Sequence, residues 1–322
     1  MLLEPVRSLL HDDLILTDQC IISRLESNIS LIKEVIEYVI SCGGKRIRPI
    51  ILLLSAKALS YKGQQHIELA AVIELIHTAT LLHDDVVDRS TLRRGHKTAH
   101  TIWGSNTSVL IGDFLYSRAF QIVVDFKHQV ILDIFSHATH YIAEGEIMQL
   151  VNCKNSDTTE KHYFEIIQRK TAKLFEVATR LGAIITTSSN LEVDAMSRYG
   201  LHLGLAYQLI DDTLDYHRSS EQTGKNIGQD IAEGKVTLPL IYAMSKCKES
   251  ELVLLKKSIQ SDSNDNLKAI LEIIESTEAI QYTANAAKQH GQKAKAALSQ
   301  IAFTPYRKAL EELCEFVIER TY

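Results

Sequence analysis

The chain has 322 residues, of which 45% are hydrophobic and 23% are charged, and its formal net charge is −5. These values are typical of a globular protein with a large core, and the small negative charge excludes a global electrostatic attraction to nucleic acid or anionic lipid. The most apolar run, residues 50–54, is far shorter than the ~20 residues of a membrane-spanning helix, so we expect no membrane span.

The N-terminus reads MLLEPVRSLLHDD and lacks the basic start and uninterrupted apolar stretch of a signal peptide. The five cysteines are scattered along the chain and form no CxxC pair or zinc-ligand spacing. We therefore predict reduced cysteines and a cytoplasmic location.

Apolar residues recur at three- and four-residue spacing along most of the chain, which is the period of packed helices. Only four prolines interrupt this pattern, and no Asn-Gly or Asp-Gly turn separates alternating strands. We predict an all-α helical bundle and, because no repeat or linker is evident, a single domain over residues 1–322. In chain order the predicted helices cover residues 16–40, 49–61, 64–88, 105–126, 129–151, 158–187, 192–216, 235–246, 277–301 and 305–319, with a glycine-rich break at residues 41–45 and a polar loop at residues 260–266.

The first chemical motif ends the third predicted helix, where the apolar run meets Asp84, Asp85 and Asp88. Residues four apart lie on one face of a helix, so Asp84 and Asp88 can share a hard divalent cation. An exposed acidic helix end would explain one such motif equally well.

The same spacing recurs more than a hundred residues later as Asp211, Asp212 and Asp215, again behind an apolar helical stretch. Two acidic helix ends facing one another would hold too much negative charge without cations. Magnesium fits this arrangement because it prefers oxygen ligands and bridges carboxylates to a substrate diphosphate.

Basic residues accompany both acidic motifs. The segment GGKRIRP at residues 43–49 combines two glycines, three cations and a helix start, which can surround a diphosphate with N–H donors and positive charge. Arg93 and Arg94 follow the first acidic motif, and two adjacent arginines taken alone are more typical of a charged surface than of a binding site. A glycine-rich stretch with Lys225 and Lys235 follows the second motif, and its composition alone is typical of a mobile surface loop.

Together these motifs carry a family resemblance. GGKRIRP, LLHDDVVDRSTLRRG, QRKT at residues 168–171, YQLIDDTLDY and GKNIGQDIAEGKVTLPL resemble, in order and spacing, the trans-isoprenyl diphosphate synthases. The similarity covers residues 41–244 most clearly. Within that family the chain is similar to the bacterial octaprenyl diphosphate synthases, which implies a long all-trans polyprenyl diphosphate, of octaprenyl length, for quinone side chains.

The resemblance implies a role for each candidate residue. Asp84, Asp88 and Asp211 would hold magnesium, with Asp85, Asp212 and Asp215 as ligands through water or as supporting acceptors. Arg93, Lys170, Lys225 and Lys235 would neutralise the diphosphate that leaves the allylic substrate, and the oxygens of Thr171 and Gln208 would face the carbocation that forms.

Isopentenyl diphosphate, the second substrate, would by the same resemblance be bound by Lys45, Arg48, His77 and Arg94. The final proton would pass to the released pyrophosphate. By itself His77 is more typical of a packed core histidine, and only its place two turns before Asp84 favours the binding role.

Product length would be set by the apolar wall below the first acidic motif. Short-chain relatives place a bulky aromatic residue five positions before that motif, so the small Ala79 and Thr80 imply a longer product. Close helix packing would explain small residues too. Phe120, Val123 and Val124 on the next long helix are candidates for the tunnel floor.

Three alternatives remain open at this stage. A terpene cyclase would share the helical bundle and the first acidic motif, but such enzymes lack the GGKRIRP cluster. A non-catalytic subunit of a heteromeric synthase would keep the fold without the activity. Glu74 and His77 match the Glu-x-x-His pattern of di-iron bundles, which need a second such pair. The family resemblance also implies a homodimer.

Overall fold

The computed structural model describes residues 3–186, 188–216, 228–261 and 266–319. The first part of the chain is helical apart from one short hairpin. Its elements are α1 (Leu3–Leu9), α2 (His11–Arg24), α3 (Ser30–Ser41), α4 (Ile47–Ala58), α5 (Gln65–Val87), β1 (Leu92–Arg93), β2 (His96–Lys97), α6 (Ala99–Trp103), α7 (Ser105–Asp125) and α8 (Gln129–Asn152).

The later part of the chain continues with helices. They are α9 (Glu160–Ile167), a π-helical turn (Gln168–Ala172), α10 (Lys173–Ile184), α11 (Asn190–Leu214), α12 (Gln229–Ala232), α13 (Leu238–Lys246), α14 (Glu249–Gln260), α15 (Leu267–Ser276), α16 (Ala279–Ala297), a 3₁₀ turn (Leu298–Gln300) and α17 (Pro305–Ile318). Among the described residues no helix combines the length and apolarity that crossing a bilayer demands.

The chain divides into two compact units. Unit 1 comprises Met1–His137, Leu174–Gly200 and Ala297–Leu313, and unit 2 comprises Ala138–Lys173, Leu201–Ala296 and Cys314–Tyr322. The expectation of a single domain stays a prediction.

Unit 1 is built around α5, which packs against α2, α4 and α7. Apolar residues occur on all sides of α5, as in a helix enclosed by neighbours rather than one lying at the surface. In α4, residues 50–54 are fully buried. The first acidic motif therefore lies at the end of a helix whose preceding turns are packed in the core.

In unit 2 the second acidic motif ends α11 behind a cluster of buried apolar residues. Tyr163, Ile167, Leu209 and Leu214 belong to this cluster, which joins α9, α11, α13 and α16. Both acidic motifs are thus carried on the ends of long helices with apolar residues packed behind them.

The all-α class predicted from the sequence is confirmed, and most helix bounds agree with prediction to within three residues. The helix predicted over residues 16–40 is wrong, because the chain forms α2 and α3 with a break between them. Ser27 lies in this break, where its hydroxyl accepts the backbone N–H of Ile29 at 3.2 Å. Such side-chain bonds compete with helix formation. The sequence pattern also did not predict α1, the hairpin, α6, α12, α14 and α15.

Candidate active site

The first acidic motif divides its carboxylates between two environments. Asp84 and Asp88 are half-buried at the end of α5, whereas Asp85 is buried. Arg93, on β1, donates Nε–H to Oδ1 of Asp85 at 2.8 Å, and its Nη2 lies 2.7 Å from the same oxygen in an ion pair. Asp85 is therefore fixed by the protein itself, while Asp84 and Asp88 lie nearer the solvent.

The Asp85–Arg93 pair sets the charge of both partners. Burial raises the pKa of Asp85, an effect that Arg93 opposes and that Asp84 reinforces. Burial alone would lower the pKa of Arg93, but the carboxylates of Asp85, Asp84 and Asp88 raise it. Arg93 stays charged and offsets part of the negative charge of the motif.

The hairpin between β1 and β2 turns through Arg94 and Gly95, whose φ angles of 54° and 78° are both positive. Two positive φ angles fit the two-residue turn that joins tightly paired strands. The guanidinium of Arg94 donates a hydrogen bond to the carbonyl of Gly43. A Cβ on Gly44 would lie 2.6 Å from Nη1 of Arg94, so a glycine at this position allows the contact.

His77, two turns before Asp84, is surrounded by positive charge. Its Nε2 lies 3.0 Å from Nη1 of Arg48. Burial and then the charges of Arg48, Arg94, Arg93 and Arg46 hold the pKa of His77 well below its ordinary value. A neutral histidine among four arginines indicates a locally electropositive region that suits an anion.

The cations of the GGKRIRP segment have different tasks. Arg46 pairs with the buried Glu74 at 2.6 Å, which explains this cation as structural and removes Glu74 from any di-iron arrangement. Lys45 and Arg48 are half-buried. Arg48 also lies over the ring of Phe175, with Cζ 4.7 Å from the ring centroid. The segment thus brings Lys45 and Arg48 into the same unit as His77 and Arg94.

The second acidic motif shows the same division as the first. Asp212 is buried, and its oxygens accept hydrogen bonds from the hydroxyl of Tyr163 and from Nε2 of Gln208, the latter at 2.8 Å. Burial raises the pKa of Asp212 well above its ordinary value, the charge of Asp230 adds to this, and the two hydrogen bonds oppose it. Asp211 and Asp215 are only half-buried.

The π-helical turn carries two further candidate substrate-binding residues of unit 2, Lys170 and Thr171. Thr171 donates its hydroxyl to Oε1 of Gln208 at 2.8 Å, which links the turn to Asp212. Nζ of Lys170 lies 2.5 Å from Oε2 of Glu146 and 2.7 Å from Oε1 of Gln149. Single π turns inside helices are frequent at functional sites.

Lys235 lies in the same unit and pairs with Glu233 at 2.7 Å. Asp215, at the end of the motif, accepts the backbone N–H of Asp230 at 3.1 Å. Lys225 lies outside the described residues, and its predicted role stays a prediction.

The chain-length candidates occupy unit 1. Ala79 is fully buried, and Thr80 is half-buried with its hydroxyl bonded to the carbonyl of His77 at 2.8 Å. On α7, Phe120 and Val124 line a cavity of about 580 Å³, whereas Val123 is buried and is not part of its lining. The structure leaves the assignment of the tunnel floor a prediction.

The described residues contain no preassembled group of three or more His, Cys, Asp or Glu side chains that could hold a metal ion. Each acidic motif instead offers a pair of half-buried carboxylates. Mg²⁺ is commonly bound by one or two carboxylates together with water and substrate phosphate. The donors of Asp84 with Asp88, and of Asp211 with Asp215, therefore fit this ion.

Sequence reasoning missed several residues that complete the site. Tyr163, Glu146 and Gln149 are supplied by neighbouring helices, and Asp230 contributes charge beside Asp212. A detectable signal was present for Glu146, since it follows Gly145 within an apolar helical segment. Tyr163 left no signal because an aromatic residue on an amphipathic helix is usually core.

The chain is similar in sequence to a known protein family and to individual members of it. Residues 29–275 match the polyprenyl synthetase family. The chain is 42% identical to the octaprenyl diphosphate synthase of Escherichia coli (strain K12), over 99% of each chain. It is 41% identical to an all-trans-nonaprenyl-diphosphate synthase (geranyl-diphosphate specific) of Rhodobacter capsulatus, over 94% of this chain and 93% of that one.

A solved structure is similar in fold along nearly the whole chain. It is the polyprenyl synthase from Caulobacter crescentus CB15, complexed with calcium and isoprenyl diphosphate. The TM-score is 0.95 at 39% identity, covering 98% of this chain and 97% of that chain.

Proposed function

The chain belongs to the polyprenyl synthetase family, and from this premise we propose that it is an all-trans polyprenyl diphosphate synthase. It condenses an allylic diphosphate with successive isopentenyl diphosphates to give octaprenyl diphosphate, a precursor of quinone side chains. The observation that carries the proposal is the arrangement along α5. This one helix bears His77, surrounded by four arginines, and Asp84 two turns later, and Asp88 caps its end.

Magnesium is the cofactor that we propose. Asp84 and Asp88 would hold magnesium at the first acidic motif, and Asp211, with Asp215 as a further ligand, would hold it at the second. The half-buried state of all four carboxylates supports this. When bound, magnesium would stabilise the negative charge on the departing diphosphate. Asp85 and Asp212 are buried, and they accept hydrogen bonds from Arg93 and from Tyr163 and Gln208 respectively. This favours a supporting role for these two.

The allylic substrate requires cations for its leaving group. Lys170, Arg93, Lys235 and Lys225 would bind the diphosphate oxygens, so that the C–O bond breaks heterolytically and both electrons leave with the diphosphate. Charge-assisted hydrogen bonds of this type are roughly twice as strong as neutral ones. Thr171 and Gln208, fixed by their mutual hydrogen bond, would direct oxygen dipoles at the carbocation.

Isopentenyl diphosphate needs a separate anion site. Lys45, Arg48, His77 and Arg94 would bind its diphosphate and hold its double bond beside the carbocation for head-to-tail attack. The neutral state of His77 supports this arrangement because its ring then accepts the hydrogen bond of Arg48 and directs that guanidinium. The proton lost after attack passes to the released pyrophosphate.

Octaprenyl length is supported by the small side chain of Ala79, which lies five residues before Asp84 and is fully buried. We further propose a homodimer, since α7 exposes apolar residues such as Leu110 and Val124. Five free cysteines favour a cytoplasmic location.

The test is an assay of the purified chain with radiolabelled isopentenyl diphosphate, magnesium and either farnesyl or geranyl diphosphate, with products identified by mass spectrometry. We expect an all-trans C40 chain. A C45 chain would correct the length but keep the reaction. Cyclic hydrocarbon without chain growth, or no turnover until a second polypeptide is added, would overturn the proposal in favour of a cyclase or a non-catalytic subunit.

A further inference from the structure

The π-helical turn that carries Lys170 is held against α8 by a close helix contact at Gly145. A Cβ on Gly145 would lie 2.7 Å from both the backbone nitrogen of Lys170 and Cβ of Arg169. The backbones therefore approach as closely as a glycine permits. This contact fixes the position along the two helices at which side chains flanking Gly145 meet those of the turn.

Two glutamates flank Gly145, and each meets one cation of the turn. Oε2 of Glu144 lies 2.5 Å from Nη1 of Arg169, and Oε2 of Glu146 lies 2.5 Å from Nζ of Lys170. The distances are equal, but the environments differ. Side-chain exposure is 27% and 44% for the Arg169–Glu144 pair and 19% and 29% for the Lys170–Glu146 pair. The second pair is better shielded from water, so its geometry has the larger electrostatic effect.

Lys170 has a second polar contact on α8 besides Glu146. Oε1 of Gln149, one helical turn after Glu146, accepts from Nζ at 2.7 Å. Arg169 instead lies over the ring of Tyr141, with Cζ 4.1 Å from the centroid. A lysine has a flexible four-carbon side chain and loses considerable rotamer freedom when it is held. Two acceptors on adjacent turns of α8 therefore define where the ammonium lies.

We propose that Glu146, assisted by Gln149, is a positioning residue for the allylic diphosphate site, acting through Lys170. This inference rests on the proposed function, because it takes Lys170 as a ligand of the diphosphate. Glu146 holds the ammonium in place before the substrate arrives, so that binding does not have to order a mobile lysine. A carboxylate suits this position because a half-buried ammonium is stabilised by a nearby compensating charge.

The alternative to positioning is that Glu146 only adds negative charge near the diphosphate. The two possibilities predict opposite changes in diphosphate affinity when Glu146 is removed. If positioning dominates, removing Glu146 weakens diphosphate binding, whereas if repulsion dominates, its removal strengthens binding. Glu144→Ala is the matched control, because it breaks an ion pair of equal length, two residues away, with a cation that has no proposed role in binding.

The experiment measures the affinity for inorganic pyrophosphate in the presence of magnesium by calorimetry, alongside KM for the allylic diphosphate. For Glu146→Ala we expect the pyrophosphate affinity to fall and KM for the allylic diphosphate to rise, each by about tenfold. This is the size expected for a lost charge-assisted hydrogen bond. Glu146→Gln keeps an oxygen acceptor and should recover part of the loss. Glu144→Ala should leave both quantities unchanged, and KM for isopentenyl diphosphate should not move in any variant.

A double-mutant cycle tests whether the effect passes through Lys170. In a Lys170→Ala background, Glu146→Ala should have no further effect on pyrophosphate affinity. Additive losses, tighter binding by Glu146→Ala, or equal losses in Glu144→Ala would each overturn the inference. Failure of the proposed function is recognised separately, since wild-type protein would then bind pyrophosphate without forming prenyl chains.

Discussion

Nη1 of Arg48 lies 3.0 Å from Nε2 of His77, and a guanidinium can only donate in such a contact. Nε2 of His77 must therefore be the acceptor, which assigns the proton of the neutral ring to Nδ1. The lowered pKa of His77 agrees with this assignment, because burial and the surrounding arginines disfavour a second proton on the ring. His77 thus acts as a fixed acceptor that directs Arg48 and needs no change of charge.

His77→Ala removes this acceptor and should raise KM for isopentenyl diphosphate by about tenfold, the scale of one hydrogen bond to a charged group. His77→Gln can offer an amide oxygen to Arg48 and should recover part of the loss. KM for the allylic diphosphate should stay at its wild-type value in both variants. Equal increases in the two KM values would contradict the assignment of His77 to one substrate.

Gly44→Ala should disturb the same site through Arg94. The new Cβ would lie 2.6 Å from Nη1 of Arg94 and would displace this guanidinium from the carbonyl of Gly43. The displaced group is the end of a flexible side chain, so the fold should be nearly unaffected. We expect KM for isopentenyl diphosphate to rise to the level found for Arg94→Ala, with a melting temperature within a few degrees of wild type. A wild-type KM in Gly44→Ala would show that the position of Arg94 is unimportant.

Helix α5 and its acidic end could be predicted because its residues are apolar on every side and then change abruptly to aspartates. The hairpin could not be predicted. Its turn uses Arg94 at a φ of 54° rather than an Asn-Gly or Asp-Gly pair, and an arginine there gives no signal in the sequence. The cost of such a backbone is offset by the contact of Arg94 with Gly43, which only the folded chain reveals.

For the two acidic motifs too, the sequence predicts only part of the arrangement. Spacing places the outer aspartates of each motif on one helix face, but it does not show that the middle ones, Asp85 and Asp212, are buried. The groups responsible, Arg93 and Tyr163, belong to other elements. Sequence therefore predicts the metal-binding character of the motifs, and the packing around them decides which carboxylates are buried.

Asp84→Asn and Asp211→Asn should each reduce kcat by at least about a hundredfold, because a carboxylate that stabilises the leaving group is lost. Both side chains are only half-buried, so circular dichroism and the melting temperature should remain close to wild type. Chelation of divalent metal should abolish turnover, and added magnesium should restore it. Near-normal kcat in both variants would refute the proposed metal roles.

Ala79→Phe should shorten the product while condensation continues, because the new ring would occupy space below the first acidic motif. Ala79 is fully buried, so overpacking should also cost about 1–3 kcal/mol of stability. Ala71→Phe is the matched control, since Ala71 is fully buried in the same helix two turns earlier. Mass spectrometry should find shorter chains only for Ala79→Phe. The same chain length in wild type and Ala79→Phe would reject the assignment of the tunnel wall.

His290, on α16, gives the protein a stability that depends on pH. Its Nδ1 lies 3.1 Å from Nδ1 of His202, and its ring stacks on Phe164. Burial, then the charges of His202 and Lys293, lower the pKa of His290 to about 4. In the unfolded chain it should titrate near ~6.5.

Between these two pKa values the unfolded chain binds more protons than the folded one. The free energy of unfolding should therefore fall as the pH drops from about 6.5 towards 4, with no contribution from His290 above that window. His290→Gln removes this proton uptake, so urea unfolding should show a smaller loss of stability between pH 7 and pH 5, by about 1 kcal/mol after allowance for solvent screening. His137→Gln, at an exposed histidine, should keep the wild-type loss. If His290→Gln lost as much stability as wild type, the proton taken up on unfolding would have to be bound elsewhere, and the His202–His290 contact would have no part in the pH dependence.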